Sequence, residues 1–396
     1  MTATFPENHP IEAMPRHILD IQVNQICDIA DMARTDPEVI KLWIGEGDLP
    51  TPDFICDAAV AALHAGHTRY TYALGVPELR AALARYHSRH WDIEINPSRF
   101  SSTIGGINAI MQAFQSILRP GDEVVIPTPA WPNILEVVAI AGGTARPVIQ
   151  RIGDDNRFNL DLDELFSAVT ERTRAIAINS PCNPTGWVMS RDQMVQVRGF
   201  VRQKGLWLVS DEVYNHFTYD GVVATSFLEL CDPDDRLLVT NTFSKNWCMT
   251  GWRSGWIIFP EGTGRVFDNL SQYNTTSTPT FLQHGCIAAL DHGDAFIKSN
   301  VARCAETRRI FRDGLAGLSS VIIHPPDGTF YLTLEVKGAV DGFAVAVRML
   351  REAGVGIAPG SAFGEGGDSF MRLCFAVSPD LAREAVARMR PFLEQL

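Results

Sequence analysis

The sequence has no uninterrupted apolar run approaching the roughly 20 residues that cross a bilayer, so a membrane-spanning reading fails. It has no basic start followed by an apolar stretch either. Met1 to Asp20 carries Pro6, Pro10 and Pro15 with Glu7, His9 and Glu12, so it is not expected to be a secretory leader and reads as an extended arm lying on another surface. Positive charge is in short supply: 34 Lys and Arg against 46 Asp and Glu give a net charge of −12, which argues against nucleic acid as a partner. The eight cysteines form no C-x-x-C pair. They read as buried apolar residues in a reducing cytoplasm rather than as disulfides or a zinc site. His64 and His67, like His87 and His90, are three apart, but no Cys or carboxylate framework surrounds them. Surface or partly buried histidines are expected, and no metal. Repeats, low-complexity tracts, the G-x-G-x-x-G fingerprint and the P-loop are all missing.

What is present suits a globular protein of two domains. The 396 residues are many for one core, and 46% hydrophobic with 20% charged residues is ordinary for a globular protein. Helical periodicity marks Asp53 to Ala65, Pro77 to His90, Asn108 to Leu118 and Ser190 to Lys204. Between helices lie short apolar runs: Glu123 to Ile126, Arg174 to Ile178, Leu206 to Val209 and Leu237 to Thr240. Runs apolar on both faces and alternating with helices predict an α/β protein with a large, doubly wound, mostly parallel sheet. After Asp291 the pattern changes to a long helix over 295–315, short strands near 329–333 and 370–375, and helices over 342–352 and 379–393. The expected division is an N-terminal arm that belongs partly to the small domain (1–45), a large domain (46–290) and a smaller α+β domain (291–396).

Four polar clusters follow these runs or open a helix. Asn179-Ser-Pro-Cys-Asn-Pro-Thr-Gly186 is a rigid turn that would present Asn183. Asp211, at a strand end with Tyr214 three residues on, suits a metal, a ribose or a protonated ring nitrogen, or simply caps a helix. Lys245 follows a buried strand, flanked by Thr242 and Ser244, with Arg253 eight residues later; that set would hold a phosphate beside an amine. Gly105-Gly106 opens a helix, where backbone amides and the dipole favour an anion.

Together these segments resemble the class I/II aminotransferases of the aspartate aminotransferase family, fold-type I pyridoxal-phosphate enzymes. The resemblance runs from Gly45-Glu-Gly-Asp48 through Arg69-Tyr70, the Gly-Gly turn, Trp131, N-P-T-G, Asp211-x-x-Tyr214 and S-K-N-W-C-M-T-G-W-R to Arg372. It implies pyridoxal 5'-phosphate held as an aldimine on Lys245, which then carries the proton. Asp211 would pair with the ring nitrogen, Tyr214 and Asn183 would bond the ring oxygen, and Trp131 would stack on the ring. Gly106, Ile107, Thr242, Ser244 and Arg253 would cradle the phosphate. Tyr70 would reach the phosphate of a second subunit, making the active unit a homodimer. Arg372, with Asn183 and the Gly45 backbone, would grip the substrate carboxylate. The implied reaction is ping-pong transfer of an amino group from an α-amino acid to a 2-oxo acid.

One departure bears on the substrate. Ile107 stands where a lysine often reads the distal carboxylate of aspartate, and Ser271 to Thr276 contains no arginine. A buried carboxylate without a cation is unfavourable, so a neutral, apolar or aromatic donor is expected, unless Arg16 of the arm supplies the charge. A C–S β-lyase, a decarboxylase or a cyclopropane-forming synthase on the same scaffold would share the cofactor residues. A non-enzymatic module that senses pyridoxal phosphate would need a DNA-binding domain, for which the segment before Gly45 has no room.

Overall fold

A computed structural model of the protein describes residues 9–338 and 341–396. Seven strands form the large sheet: β1 (Phe100–Thr103), β2 (Glu123–Thr128), β3 (Thr144–Ile149), β4 (Thr173–Asn179), β5 (Trp207–Asp211), β6 (Leu237–Thr242) and β7 (Gly255–Ile258). Their spatial order is β1-β7-β6-β5-β4-β2-β3. Strands β2 to β6 are parallel to their neighbours within that set, and β7 is antiparallel to both β6 and β1.

The apolar runs become strands because both faces of the sheet are covered. Val125, Ile176, Ile178, Leu208 and Val239 enter one core, while Val124, Ala175, Ala177, Val209 and Leu238 enter the other. Alternate residues point to opposite faces, so a continuous apolar run serves two cores at once. The helices have local causes too. Ser190 and Gln193 form a reciprocal capping box at the start of Arg191–Lys204, which ends at Gly205 in the left-handed region. Sequential strands run outward as β2 and β3, then in the other direction as β4, β5 and β6. That reversal opens a crevice at the carboxyl ends of β2 and β4.

A second sheet holds β8 (Val321–His324), β9 (Tyr331–Val336), β10 (Ala358–Pro359) and β11 (Phe370–Cys374), all antiparallel, in the order β8-β9-β11-β10. The helices Asp294–Gly314, Gly342–Ala353 and Pro379–Leu393 pack with it. The same core takes Ile29, Ala30, Leu42 and Trp43 from the N-terminal segment. Ile40–Lys41 pairs in parallel with Val355–Gly356.

Several expectations need correction. The arm is not simply extended: Pro10–Ala13 is a 3-10 turn, Arg16–Leu19 a single helical turn, and Gln25–Ala33 a helix capped by Asn24. Pro6 and Glu7 lie outside the described residues. His87 is fully buried, accepting from the Trp256 indole N–H at 3.3 Å, because it shares a helix face with Leu83 and Tyr86. Only four cysteines are buried, and Cys27 is exposed. The helix expected from Asn108 begins at Gly105. Strands β1 and β7 and the helices Gly264–Asn274 and Thr280–His292 are further elements, beyond those expected. Among the described residues no helix is long and apolar enough to cross a membrane.

Gly356 marks where the N-terminal segment closes on the small sheet. A Cβ there would fall within the Trp43 ring. Gly356→Ala is therefore expected to lower stability by about 1–3 kcal/mol, read as a lower midpoint in denaturant.

Candidate active site

The carboxyl ends of β4, β5 and β6 deliver their polar clusters to one cavity of about 700 Å³, which Trp131 and Asn133 after β2 also line. Lys245 lies three residues beyond the end of β6, and its Nζ donates to the Gly45 carbonyl at 2.6 Å. The amine sits 5.7 Å from the centre of the Tyr214 ring and 5.9 Å from that of Phe330. Burial pushes it down to about 8; the positive charges of Arg372 and Arg253 act in the same direction, and Cys374 and Glu46 oppose them.

Asp211 ends β5 and is 2% exposed. Its Oδ2 accepts from Asn179 Nδ2 at 3.1 Å and its Oδ1 from the Thr240 hydroxyl at 3.3 Å. Burial raises this carboxyl to about 7; Glu212 adds to the rise, while Thr240 and Lys245 restrain it. Among the described residues no cation forms an ion pair with it. A buried carboxylate facing a cavity in this way fits a cationic N–H from a ligand. The Tyr214 hydroxyl lies 2.8 Å from that of Tyr331, and burial holds both well above the usual phenol range, as neutral donors.

At the other end the helix Gly105–Ile117 points its N-terminus at the cavity. Gly105 has φ 77°, and a Cβ on it would lie 2.5 Å from Arg253 Nη2. A Cβ on Gly255 would lie 2.8 Å from the Gly106 nitrogen. Only glycine at both positions lets the helix start, the strand and the guanidinium close together. The Thr242 hydroxyl lies 2.9 Å from that of Ser244. Helix amides, two hydroxyls and an arginine make a donor set that fits a phosphate.

Arg372 is 3% exposed on β11. Its Nη1 donates to Asn183 Oδ1 at 3.3 Å and its Nη2 to the Trp43 carbonyl. The guanidinium lies 4.3 Å from the centre of the Tyr331 ring and 5.1 Å from that of Phe363. Its Nε is buried and has no partner among the described residues, and the residue lines the cavity, where its guanidinium fits a carboxylate.

Of the residues singled out in the sequence, Gly45, Gly106, Ile107, Trp131, Asn183, Asp211, Tyr214, Thr242, Ser244, Lys245, Arg253 and Arg372 line this cavity. Tyr70 does not: it is 92% exposed, away from the cavity of its own chain. Arg16 is exposed and not on the cavity wall, and Ser271 instead bonds Ser101 within the fold at 3.2 Å. Sequence reasoning gave no role to Asn179, the first residue of the Asn179–Gly186 turn, although its strand-end position was a usable signal. It left Tyr331 without a role, and missed Arg34 and Lys41 on the wall. Among the described residues no three His, Cys, Asp or Glu side chains are grouped to hold a metal.

The model of the aminotransferase class I and II family matches residues 37–389. An aspartate aminotransferase of Pyrococcus abyssi is 35% identical over 381 residues, covering 95% of this chain and 97% of that protein. An aromatic-amino-acid aminotransferase of Thermococcus litoralis is 34% identical, with 95% and 97% covered. The crystal structure of an aspartate aminotransferase from Thermotoga maritima superposes with a TM-score of 0.89 at 31% identity, covering 96% of this chain and all (100%) of that one. The chain belongs to the class I and II aminotransferases. It is an aminotransferase of a family that works with pyridoxal phosphate.

Asp211 generates a stability prediction. Its folded pKa lies above the ordinary carboxylate value, so the folded cofactor-free protein holds a proton that the unfolded chain releases. Stability then falls as pH rises towards 7. In cofactor-free protein, Asp211→Asn is expected to melt higher than the unaltered chain at pH 8, with a smaller gain at pH 5.5. Equal melting temperatures at pH 8 would refute the buried-charge argument.

Proposed function

We propose that this aminotransferase holds pyridoxal 5'-phosphate on Lys245 and moves an amino group, in two half-reactions, from a neutral, apolar or aromatic α-amino acid to a 2-oxo acid. The observation that carries the reading is the enclosed Lys245 amine, with a buried carboxylate (Asp211) and a buried guanidinium (Arg372) lining the same cavity. When bound, the cofactor supplies an electron sink for the substrate's Cα electrons. Lys245, with its lowered pKa, takes the Cα proton as free amine and returns it. Asp211 keeps the ring nitrogen cationic. Tyr214 and Asn183 donate to the ring oxygen, and Trp131 covers the ring face. The amides of Gly106 and Ile107 hold the phosphate with Thr242, Ser244 and Arg253. Arg372 grips the α-carboxylate, assisted by Asn183 and the Gly45 backbone. Tyr70, exposed on its own chain, is assigned to the phosphate site of a second subunit in a cytoplasmic homodimer.

The donor class rests on the wall beside Ile107, where Ile26, Ala30, Ile44, Ile110 and Trp131 also face the cavity. An apolar side chain loses water there without stranding a charge. Mixing enzyme with single amino acids, without an oxo acid, and following the cofactor's visible absorbance tests this. Phenylalanine and leucine are expected to bleach the band faster than aspartate; a clear preference for aspartate sinks the donor assignment. Lys245→Ala is expected to lose roughly 10²-fold to 10⁴-fold in turnover.

Arg34 and Lys41 favour one addition. Arg34 pairs with Asp31 at 2.9 Å, and Lys41 Nζ donates to the Arg34 carbonyl at 2.7 Å, and both residues line the cavity. They suit the distal carboxylate of a dicarboxylic 2-oxo acid acceptor. Replacing both by alanine should raise KM for 2-oxoglutarate by up to roughly fivefold, the scale of an exposed ion pair, and leave KM for pyruvate in place. An equal change for both acids would remove this assignment.

A further inference from the structure

We infer that Tyr331 is a positioning residue that couples the cofactor end of the site to the carboxylate end, an inference that rests on the function proposed above. Tyr331 opens β9 and is fully buried. Its hydroxyl is 2.8 Å from the Tyr214 hydroxyl, the hydrogen bond that Tyr214 Oη makes among the described residues. Its ring is the platform 4.3 Å from the Arg372 guanidinium. One side chain therefore touches both the phenol assigned to the ring oxygen and the cation assigned to the substrate.

The direction of the hydroxyl bond follows from counting protons. Each phenol has one proton and spare lone pairs. If Tyr214 gave its proton to Tyr331, it would have none for a ligand. With Arg372 over its ring, Tyr331 is the phenol whose negative end is better stabilised, and so the better donor. Tyr331 thus donates to Tyr214, and the Tyr214 proton turns into the cavity, where the chain of two donors polarises it. Gly45 completes the arrangement: a Cβ there would collide with the Tyr331 hydroxyl, and the same residue's carbonyl holds Lys245. A core tyrosine needed only for packing would require neither contact.

Two variants separate these roles in the holoenzyme. Tyr331→Phe keeps the ring beneath Arg372 and removes the hydroxyl; Tyr331→Leu removes both. The readouts are the pH midpoint of the bound pyridoxal phosphate's visible absorbance and KM for the donor amino acid. Loss of the polarised donor leaves the ionised ring oxygen less stabilised, so the Tyr331→Phe midpoint is expected to rise by about half a pH unit or more. Its KM should stay within about twofold, whereas Tyr331→Leu should show the same rise in midpoint and a KM increase of roughly fivefold or more from the lost cation–π contact. A Tyr331→Phe midpoint equal to that of the unaltered enzyme overturns the inference while leaving the function intact. Equal KM increases in the two variants also overturn it. An unaltered protein with no pH-dependent visible band when mixed with pyridoxal phosphate overturns the functional reading, and the inference falls with it.

Discussion

Arg372 is a full charge on an interior strand, and satisfying it draws together parts of the chain that are far apart in sequence. A buried cation is tolerated only where dipoles and π-faces replace water. Trp43 gives a backbone carbonyl from the N-terminal segment, Asn183 a side-chain oxygen from the loop after β4, and Tyr331 and Phe363 two ring faces. The N-terminal segment, the large sheet and the small sheet therefore meet at one guanidinium. The small sheet has to dock where the β4 loop ends, and Trp43 has to be pinned by the close approach of Gly356. The guanidinium is thus placed by these constraints rather than by a flexible side chain.

Burial acts on the two central ionisable groups in opposite directions, and both shifts move the group towards neutrality. The Lys245 amine is pushed down to about 8 and the Asp211 carboxyl up to about 7. Neither is simply the partner of the other: Lys245 is held by the Gly45 carbonyl, and Asp211 by Asn179 and Thr240. Each is anchored by neutral dipoles and left electrostatically unfulfilled, which suits groups that must exchange protons and partners during turnover.

Much of this was legible in the sequence because parallel sheets have a simple grammar. Glu123–Thr128, Thr173–Asn179, Trp207–Asp211 and Leu237–Thr242 are apolar on both faces and the last three end in polar clusters, so those strand ends could be located, and Lys245, Asp211 and Asn183 with them. Residues whose role arises from tertiary approach were hidden. Tyr331 sits in Phe330-Tyr331, which reads as core, and nothing local says that Arg372 lies over one ring. Arg34 caps a helix and Lys41 ends a two-residue strand, far from the motifs. The helix start was misread at Asn108 because two glycines are poor helix formers, whereas here the missing side chain of Gly105 is what admits Arg253. Strand β7 was obscured because Gly255 to Ile258 is short and runs against its neighbours.

The cavity's floor and its outer wall belong to different parts of the chain. The floor is built on strand ends, where each position is fixed by two cores. The wall that Ile26 and Ala30 present comes from Gln25–Ala33, a nine-residue helix with one buried side and a broad exposed one. Substitutions on that helix can accumulate without touching the register of the large sheet. Substrate range in such a scaffold is thus free to drift between lineages while the proton-transfer apparatus stays fixed, so two relatives with the same catalytic centre need not share a metabolic role.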